Sequence, residues 1–150
     1  MLVCAVLAAY APPARSQQRD IYPPVPQAAG DIAAALKSAA ASHRRVILDF
    51  GGNWCTDCHV LDVYFHDPVN KPILEANFIL VHINIGRLDA NVDIAGRYRI
   101  PLDKGVPAIA VLNSRGVLLY SQKSGEFEAM RHMQSTAVTE FLEHWKPASS

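Results

Sequence analysis

Hydrophobic residues run consecutively through Val46-Ile47-Leu48-Asp49-Phe50, broken by one acid and closed by Gly51-Gly52. A run that is apolar at successive rather than alternate positions suits a strand covered on both faces. Phe78 to Ile85 (FILVHINI) repeats the pattern, with His82 among its interruptions. A third strand, Ala108 to Leu112, follows Gly105-Val106-Pro107, and Asn113-Ser114-Arg115-Gly116 predicts a hairpin turn into a return strand, Val117 to Ser121. Between these runs the spacing becomes helical. Ile32, Ala35, Leu36 and Ala39 share a face of a helix Ile32 to Ser42, with Asp31 as its expected N-cap and His43-Arg44-Arg45 at its C-terminal end. Val60, Leu61, Tyr64 and Phe65 mark a helix from Cys55 to Phe65, stopped at His66-Asp67-Pro68. Val69 to Asn77, Asp89 to Tyr98 and Phe127 to Trp145 are further helices. The last carries Met130, Met133, Ala137, Phe141 and Trp145 near one face. Helix, strand, helix, helix, strand, helix, strand, strand, helix predicts an α/β layered sheet with helices on both sides. Its early strands are expected to be parallel and its late hairpin antiparallel.

The chain ends change this picture only at the front. Met1 to Ala11 is uncharged and almost wholly apolar, and a proline-containing polar stretch follows. That order predicts a secretory signal over residues 1–16, cleaved after Ser16, although a basic n-region is missing. The run is too short to span a bilayer, so the mature chain is expected to be exported, periplasmic or otherwise extracytoplasmic, with no stable membrane span. Residues 17–30, with Pro23, Pro24 and Pro26, read as an extended lead-in, and residues 31–146 as one domain. With 150 residues, half of them hydrophobic, the chain can build one real core. Zero formal net charge argues against nucleic acid or an anionic membrane as partner.

Loss of the signal would remove Cys4 and leave two cysteines, Cys55 and Cys58, in one C-x-x-C. They sit where a strand turns into a helix. Cys55 falls at the helix N-terminus, where free N–H groups and the helix dipole favour negative charge. Thiolate is the attacking species in disulfide exchange. Cys58, three residues on, is close enough to close a disulfide through the first turn. Cys55 is therefore the expected nucleophile and Cys58 the resolving thiol. The pair alone leaves two other chemistries open. Cys55-x-x-Cys58-His59 is also the attachment pattern of c-type haem, and His66 or His82 could join two cysteines around zinc. A buried strand before the motif argues against a small helical haem protein, and no second C-x-x-C or H-x-x-H supports zinc.

Leu48 to Cys58 (LDFGGNWCTDC) resembles the active-site segment of the thioredoxin superfamily, and Gly105-Val106-Pro107 resembles that family's cis-proline loop. The resemblance covers about Asp31 to Trp145 and is nearest in style to exported bacterial Dsb-type proteins. It implies a thioredoxin-like fold, a central mixed sheet with helices on both faces. The activity it implies is thiol–disulfide oxidoreductase, needing no cofactor beyond a redox-active Cys55–Cys58 disulfide and no metal. Asp49 falls at the family's buried acid, which assists proton transfer at the resolving cysteine, and burial is expected to raise its pKa. Pro107 falls at the cis-proline. Val106 would offer its backbone to an extended substrate segment, and Trp54 would border the exposed sulfur. The implied partners are protein thiol or disulfide substrates and an electron donor or acceptor that the sequence does not identify. Thr56-Asp57 stands in place of the familiar Gly-Pro. An acid beside the thiolate is expected to tilt the pair toward reductant or isomerase behaviour rather than oxidase. The stretch from Cys58 to Pro107 is longer than in plain thioredoxin, with the extra residues expected between Tyr64 and Lys104. The remaining alternative is a redox-inert binding module on the same fold.

Overall fold

The computed structural model describes residues 19–148. The leader expected over Met1–Ser16, with Cys4, lies outside them. The most apolar run of the chain takes the centre of the sheet. Strand β1 (Arg45–Gly51) is flanked by β2 (Phe78–Asn84) and β3 (Ala108–Leu112), and β4 (Leu118–Ser121) lies outside β3, giving the order β2-β1-β3-β4. β1 and β2 are parallel. β1 and β3, and β3 and β4, are antiparallel. The mixed sheet is covered on both faces, as the hydrophobic pattern predicts.

Alternation along β1 divides the core in two, because successive strand side chains point to opposite faces. Val46, Leu48 and Phe50 join Val81, Ile83, Ala110 and Leu112 beneath helix α1 (Ala28–Ser42). Helix α1 supplies Ala28, Ile32, Ala35 and Ala39 to that layer. Ile47 joins Ile109 and Val111 on the other face, packed against three further helices: α2 (Thr56–Phe65), α3 (Asn70–Asn77) and a C-terminal helix (Ser135–Trp145). The short helix α4 (Val92–Arg97) adds Ile94 and Ala95 to the first layer, and the C-terminal helix is α5. Asn70, fully buried, joins α2, α3 and α5. Its Nδ2 donates to the carbonyls of Tyr64 (2.8 Å) and Ser135 (3.2 Å), and its Oδ1 accepts from Thr139 (2.5 Å).

Three expectations about elements need correction. Helix α1 begins at Ala28, led in by a turn of 3-10 helix at Val25–Gln27, so Asp31 sits inside its first turn and Gln27 is the N-cap. Pro24 and Pro26 fix backbone angles compatible with that turn instead of keeping the chain extended. The lead-in is also not a free arm, since Tyr22 is buried in the core. The last helix covers only Ser135–Trp145. Residues 127–134 make turns around a 3-10 segment, Met130–His132, and the helix buries Val138 and Leu142. Met130 reaches the core from that turn rather than from a helix face.

Candidate active site

Gly51 ends β1, and the chain turns through Gly52-Asn53-Trp54 into α2. Cys55 is the N-cap of α2, in extended conformation, and its sulfur accepts the backbone N–H of Cys58 at 3.1 Å. An N-cap acceptor satisfies one of the orphan donors of the first turn, and here the acceptor is the reactive atom itself. Cys55 and Cys58 are joined by a disulfide, with Cα atoms 5.2 Å apart. The two cysteines are not equivalent in exposure: Cys55 is 6% exposed and Cys58 is 0% exposed.

Cys55 lies on an open groove of about 600 Å³ bordered by Trp54, Leu88, Val106, Glu128 and Arg131. Its sulfur is 3.7 Å from the Val106 carbonyl oxygen, and the Val106–Pro107 peptide is cis. Buried Gln122 braces this loop. Its Nε2 donates to the Pro107 carbonyl and its Oε1 accepts the Ile109 N–H, each at 3.1 Å. Trp54 is 42% exposed. Its indole N–H donates to the Gly86 carbonyl at 2.6 Å, and the Arg87 guanidinium stands 5.2 Å from the ring centroid. The Gly86–Leu88 loop thus belongs to the longer stretch between the two motifs, and its Leu88 lines the groove.

Behind the disulfide lies a polar cluster. Asp49 is 0% exposed. Its Oδ2 accepts the Tyr22 hydroxyl at 2.8 Å and pairs with His82 Nδ1 at 2.8 Å, while Oδ1 has no hydrogen-bond partner among the described groups. Burying a lone carboxylate costs several kcal/mol. Two hydrogen bonds to a charged group return roughly 1.5–3 kcal/mol each, so the partners make the burial tolerable. Asp49 and Gly51 are two apart on one strand and share a face. A Cβ at Gly51 would run into the Tyr22 hydroxyl and lie 2.7 Å from Cys58 Sγ. The missing side chain at Gly51 is what lets the resolving sulfur, the tyrosine and the acid converge.

The environment shifts two of these groups. Burial pushes the Tyr22 hydroxyl well above its ordinary range, and the charge of Asp49 and the hydrogen bond to it add to the effect. For His82, burial pulls the pKa down. The hydrogen bond to Asp49 and the charges of Asp49 and Asp62 outweigh it, against a smaller opposing push from Arg19, and leave the pKa raised.

Asp57 is largely buried but does not point freely at the disulfide. Its Oδ1 accepts the Arg131 N–H at 2.8 Å, and its Oδ2 is 3.2 Å from Arg131 Nε. The guanidinium offsets much of the negative field that the sequence alone assigns to Asp57. His59 turns its ring to the Asn53 carbonyl, with Nε2 at 2.8 Å, and His66 and His82 go to Asp62 and Asp49. None of the three histidines joins the cysteines. Among the described residues, no group of three or more His, Cys, Asp and Glu is gathered as a metal site.

Cys55, Trp54 and Val106 thus meet at the groove, with Pro107 following Val106 in the cis peptide, and Asp49 lies on the inner side, on the strand whose Gly51 meets the Cys58 sulfur. Tyr22, Gln122 and Arg131 carry no signal in the sequence, and His82 stands out there only beside His66 as a partner for the cysteines around zinc. For His82 a signal existed. Asp49 and His82 are polar residues inside two largely apolar strands, and the parallel register places them side by side.

A strand–turn–helix carrying C-x-x-C, faced by a cis-proline loop on a mixed α/β sheet, defines a thioredoxin-fold thiol–disulfide oxidoreductase. A family model described as thioredoxin-like matches residues 27–114, and the chain belongs to that family. The chain is 31% identical to a disulphide isomerase from Xylella fastidiosa Temecula1. That match covers 83% of this chain and 95% of the other, with a TM-score of 0.78. It is 30% identical over 117 residues to the thiol:disulfide interchange protein DsbD of Pseudomonas fluorescens, a match covering 73% of this chain. The chain spans 18% of the length of the curated DsbD relatives it matches. A thioredoxin from Thermus thermophilus, 20% identical with a TM-score of 0.55 over 75% of this chain and 81% of the other, shares the fold.

Proposed function

We propose that this protein catalyses dithiol–disulfide exchange on exported protein substrates, as a reductant or isomerase rather than an oxidase. The observation that carries the reading is the asymmetry of the pair. Cys55 caps a helix at the edge of an open groove, and Cys58 is buried next to Tyr22 and the strand that carries Asp49. The Cys55 thiolate attacks a substrate disulfide, forming a mixed disulfide and releasing one substrate thiolate. Cys58 then loses its proton to Asp49 and attacks Cys55. The Cys55–Cys58 bond forms, the bond from Cys55 to substrate breaks, and the second substrate sulfur leaves with the electron pair. Asp49 is suited to this role because one of its oxygens is buried without a partner. The Val106 backbone, 3.7 Å from Cys55 Sγ at its carbonyl, is placed to pair with an extended substrate segment, as in strand-addition recognition. Pro107 removes a competing N–H there, and Trp54 supplies an apolar flank.

The reducing direction is supported by Asp57 in the first turn of α2, moderated by Arg131, and an isomerase role by similarity to a disulphide isomerase. An exported setting is supported by the apolar Met1–Ala11 run, and a separate electron donor is needed to keep the pair reduced there. Insulin reduction by the wild-type protein, with Cys55→Ser as control, tests the activity. Turnover is expected from the first and none from the second. Equal rates would defeat the assignment. Equilibration against glutathione tests the direction, and an oxidising potential near about −120 mV would contradict it.

A further inference from the structure

We propose that His82 carries the Cys58 proton between buried Asp49 and the protein surface. The proposal rests on the reading that Asp49 exchanges a proton with Cys58. A carboxyl with no contact to solvent can accept a proton in each turnover only if something removes it again. The geometry provides one such route. His82 Nδ1 is 2.8 Å from Asp49 Oδ2, and its Nε2 is 3.5 Å from Asp62 Oδ1. Asp62 lies at the edge of a surface pocket of about 340 Å³, bordered by Arg19, His66 and His82. The imidazole thus bridges an acid sealed in the core and an acid at the rim.

The groups facing His82 come from every element around it. Asp49 is on β1, Asp62 is on α2, and His66 is the C-cap of α2. Arg19 and Tyr22 come from the N-terminal segment, and the Tyr22 ring meets the imidazole edge-on with centroids 5.1 Å apart. The ionisable groups of α3, Lys71 and Glu75, are exposed and pair with each other. Arg19 holds Asp62 Oδ2 at 3.0 Å, and His66 Nδ1 stands 3.3 Å from Oδ1, so the outer acid is held in place beside the imidazole.

During resolution the proton passes from Cys58 sulfur to the Asp49 carboxylate, and the sulfur keeps the electron pair that forms the Cys55–Cys58 bond. Asp49 then gives the proton to Nδ1 as Nε2 releases one toward Asp62 and the water of the rim. The imidazole starts with its hydrogen on Nε2 and ends with it on Nδ1, and the reverse transfer, when the pair is reduced again and Cys58 takes back its proton, restores the first tautomer. Nothing is oxidised or reduced along this path. The electron pair goes to the departing substrate sulfur.

A chromogenic aromatic disulfide separates the two steps in a stopped-flow experiment. Attack by Cys55 on it releases one coloured thiolate, and resolution by Cys58 releases the second. In His82→Asn, which keeps a polar group toward Asp49 but cannot ferry a proton, the second phase is expected to slow relative to the first by roughly tenfold or more. It is also expected to lose its inflection with pH. Asp62→Asn cuts only the outer link, leaves the His82–Asp49 contact in place, and is expected to slow the same phase less. Added imidazole is expected to restore part of the second phase in His82→Ala, whose vacated space opens to the rim pocket. A second phase unchanged in His82→Asn, or both phases slowed alike with the wild-type pH profile kept, would overturn the proposal. Asp49→Asn separates the two readings. If it slows resolution while His82→Asn does not, only the relay fails. If neither does, the role of Asp49 fails as well.

Discussion

Gly51 illustrates how one residue organises the site. It shares a strand face with Asp49, and the Tyr22 hydroxyl and Cys58 sulfur occupy the space a side chain would take. Gly51→Ala is expected to cost about 1–3 kcal/mol by overpacking, and to slow resolution because Cys58 is displaced from the acid. Urea unfolding together with the two-phase disulfide assay measures both effects. His82 gives a pH dependence with a definite sign. Its pKa is higher in the folded protein than the ordinary value of 6.5, so it binds a proton more tightly when folded. Its contribution to stability is therefore complete below that value and is lost as pH rises through the raised folded pKa. Unfolding free energy measured upward from pH 6 is expected to decline through this window in the wild type. The decline is expected to be shallower in His82→Gln. Cys55, Cys58, Asp49 and Pro107 were legible in the sequence because each stands in a motif with fixed spacing. Tyr22 and Gln122 were not, because each acts through a contact that only the folded chain creates, Tyr22 across 27 positions to Asp49 and Gln122 back to Pro107.

At the scale of elements, the short turn Met130–His132 does more than connect. Met130 plugs the core, and Arg131 holds Asp57 by both a backbone N–H and its guanidinium. Arg131→Ala would leave the Asp57 charge less compensated beside the first turn of α2. The thiolate of Cys55 is then expected to be disfavoured and the pair to become more reducing, whereas Asp57→Asn is expected to move it the other way. Glutathione equilibration of both variants reads the sign. Met130, Met133 and Ala137 keep near-helical spacing, which extends the predicted last helix back through this turn. Spacing alone cannot show that the Arg131 N–H goes to a carboxylate on another helix. In the shortened helix α5, Leu142 is fully buried, and Leu142→Ala is expected to cost about 2–5 kcal/mol in thermal or urea unfolding. The strands were more legible than the helix ends, since a continuous apolar run bounded by glycine or turn residues marks both limits of a buried strand.

Over the whole molecule, the segment before α1 belongs to the folded unit. The Ile21 and Tyr22 N–H groups donate to Asn53 Oδ1 at 2.9 Å, Asn53 Nδ2 returns a bond to the Tyr22 carbonyl at 3.0 Å, and Arg19 reaches Asp62. The lead-in is thus tied to the active-site turn and to the polar cluster behind it. The proline-rich composition hid this, because it predicts a lack of regular structure and says nothing about docking. The sheet order was only partly legible as well. Intervening helices implied parallel early strands, and the turn residues implied the hairpin. The antiparallel placement of β3 beside β1, which brings Val106 over Cys55, depends on packing across the whole sheet. That placement leaves Cys55 at the groove and Cys58 beneath it, and the division of labour between the two thiols is the centre of the account. The most direct measurement is timed alkylation of the fully reduced protein at neutral pH, with the labelled cysteine identified by mass spectrometry. The account predicts that Cys55 is modified first and Cys58 far more slowly. Equal labelling, or faster labelling of Cys58, would contradict it.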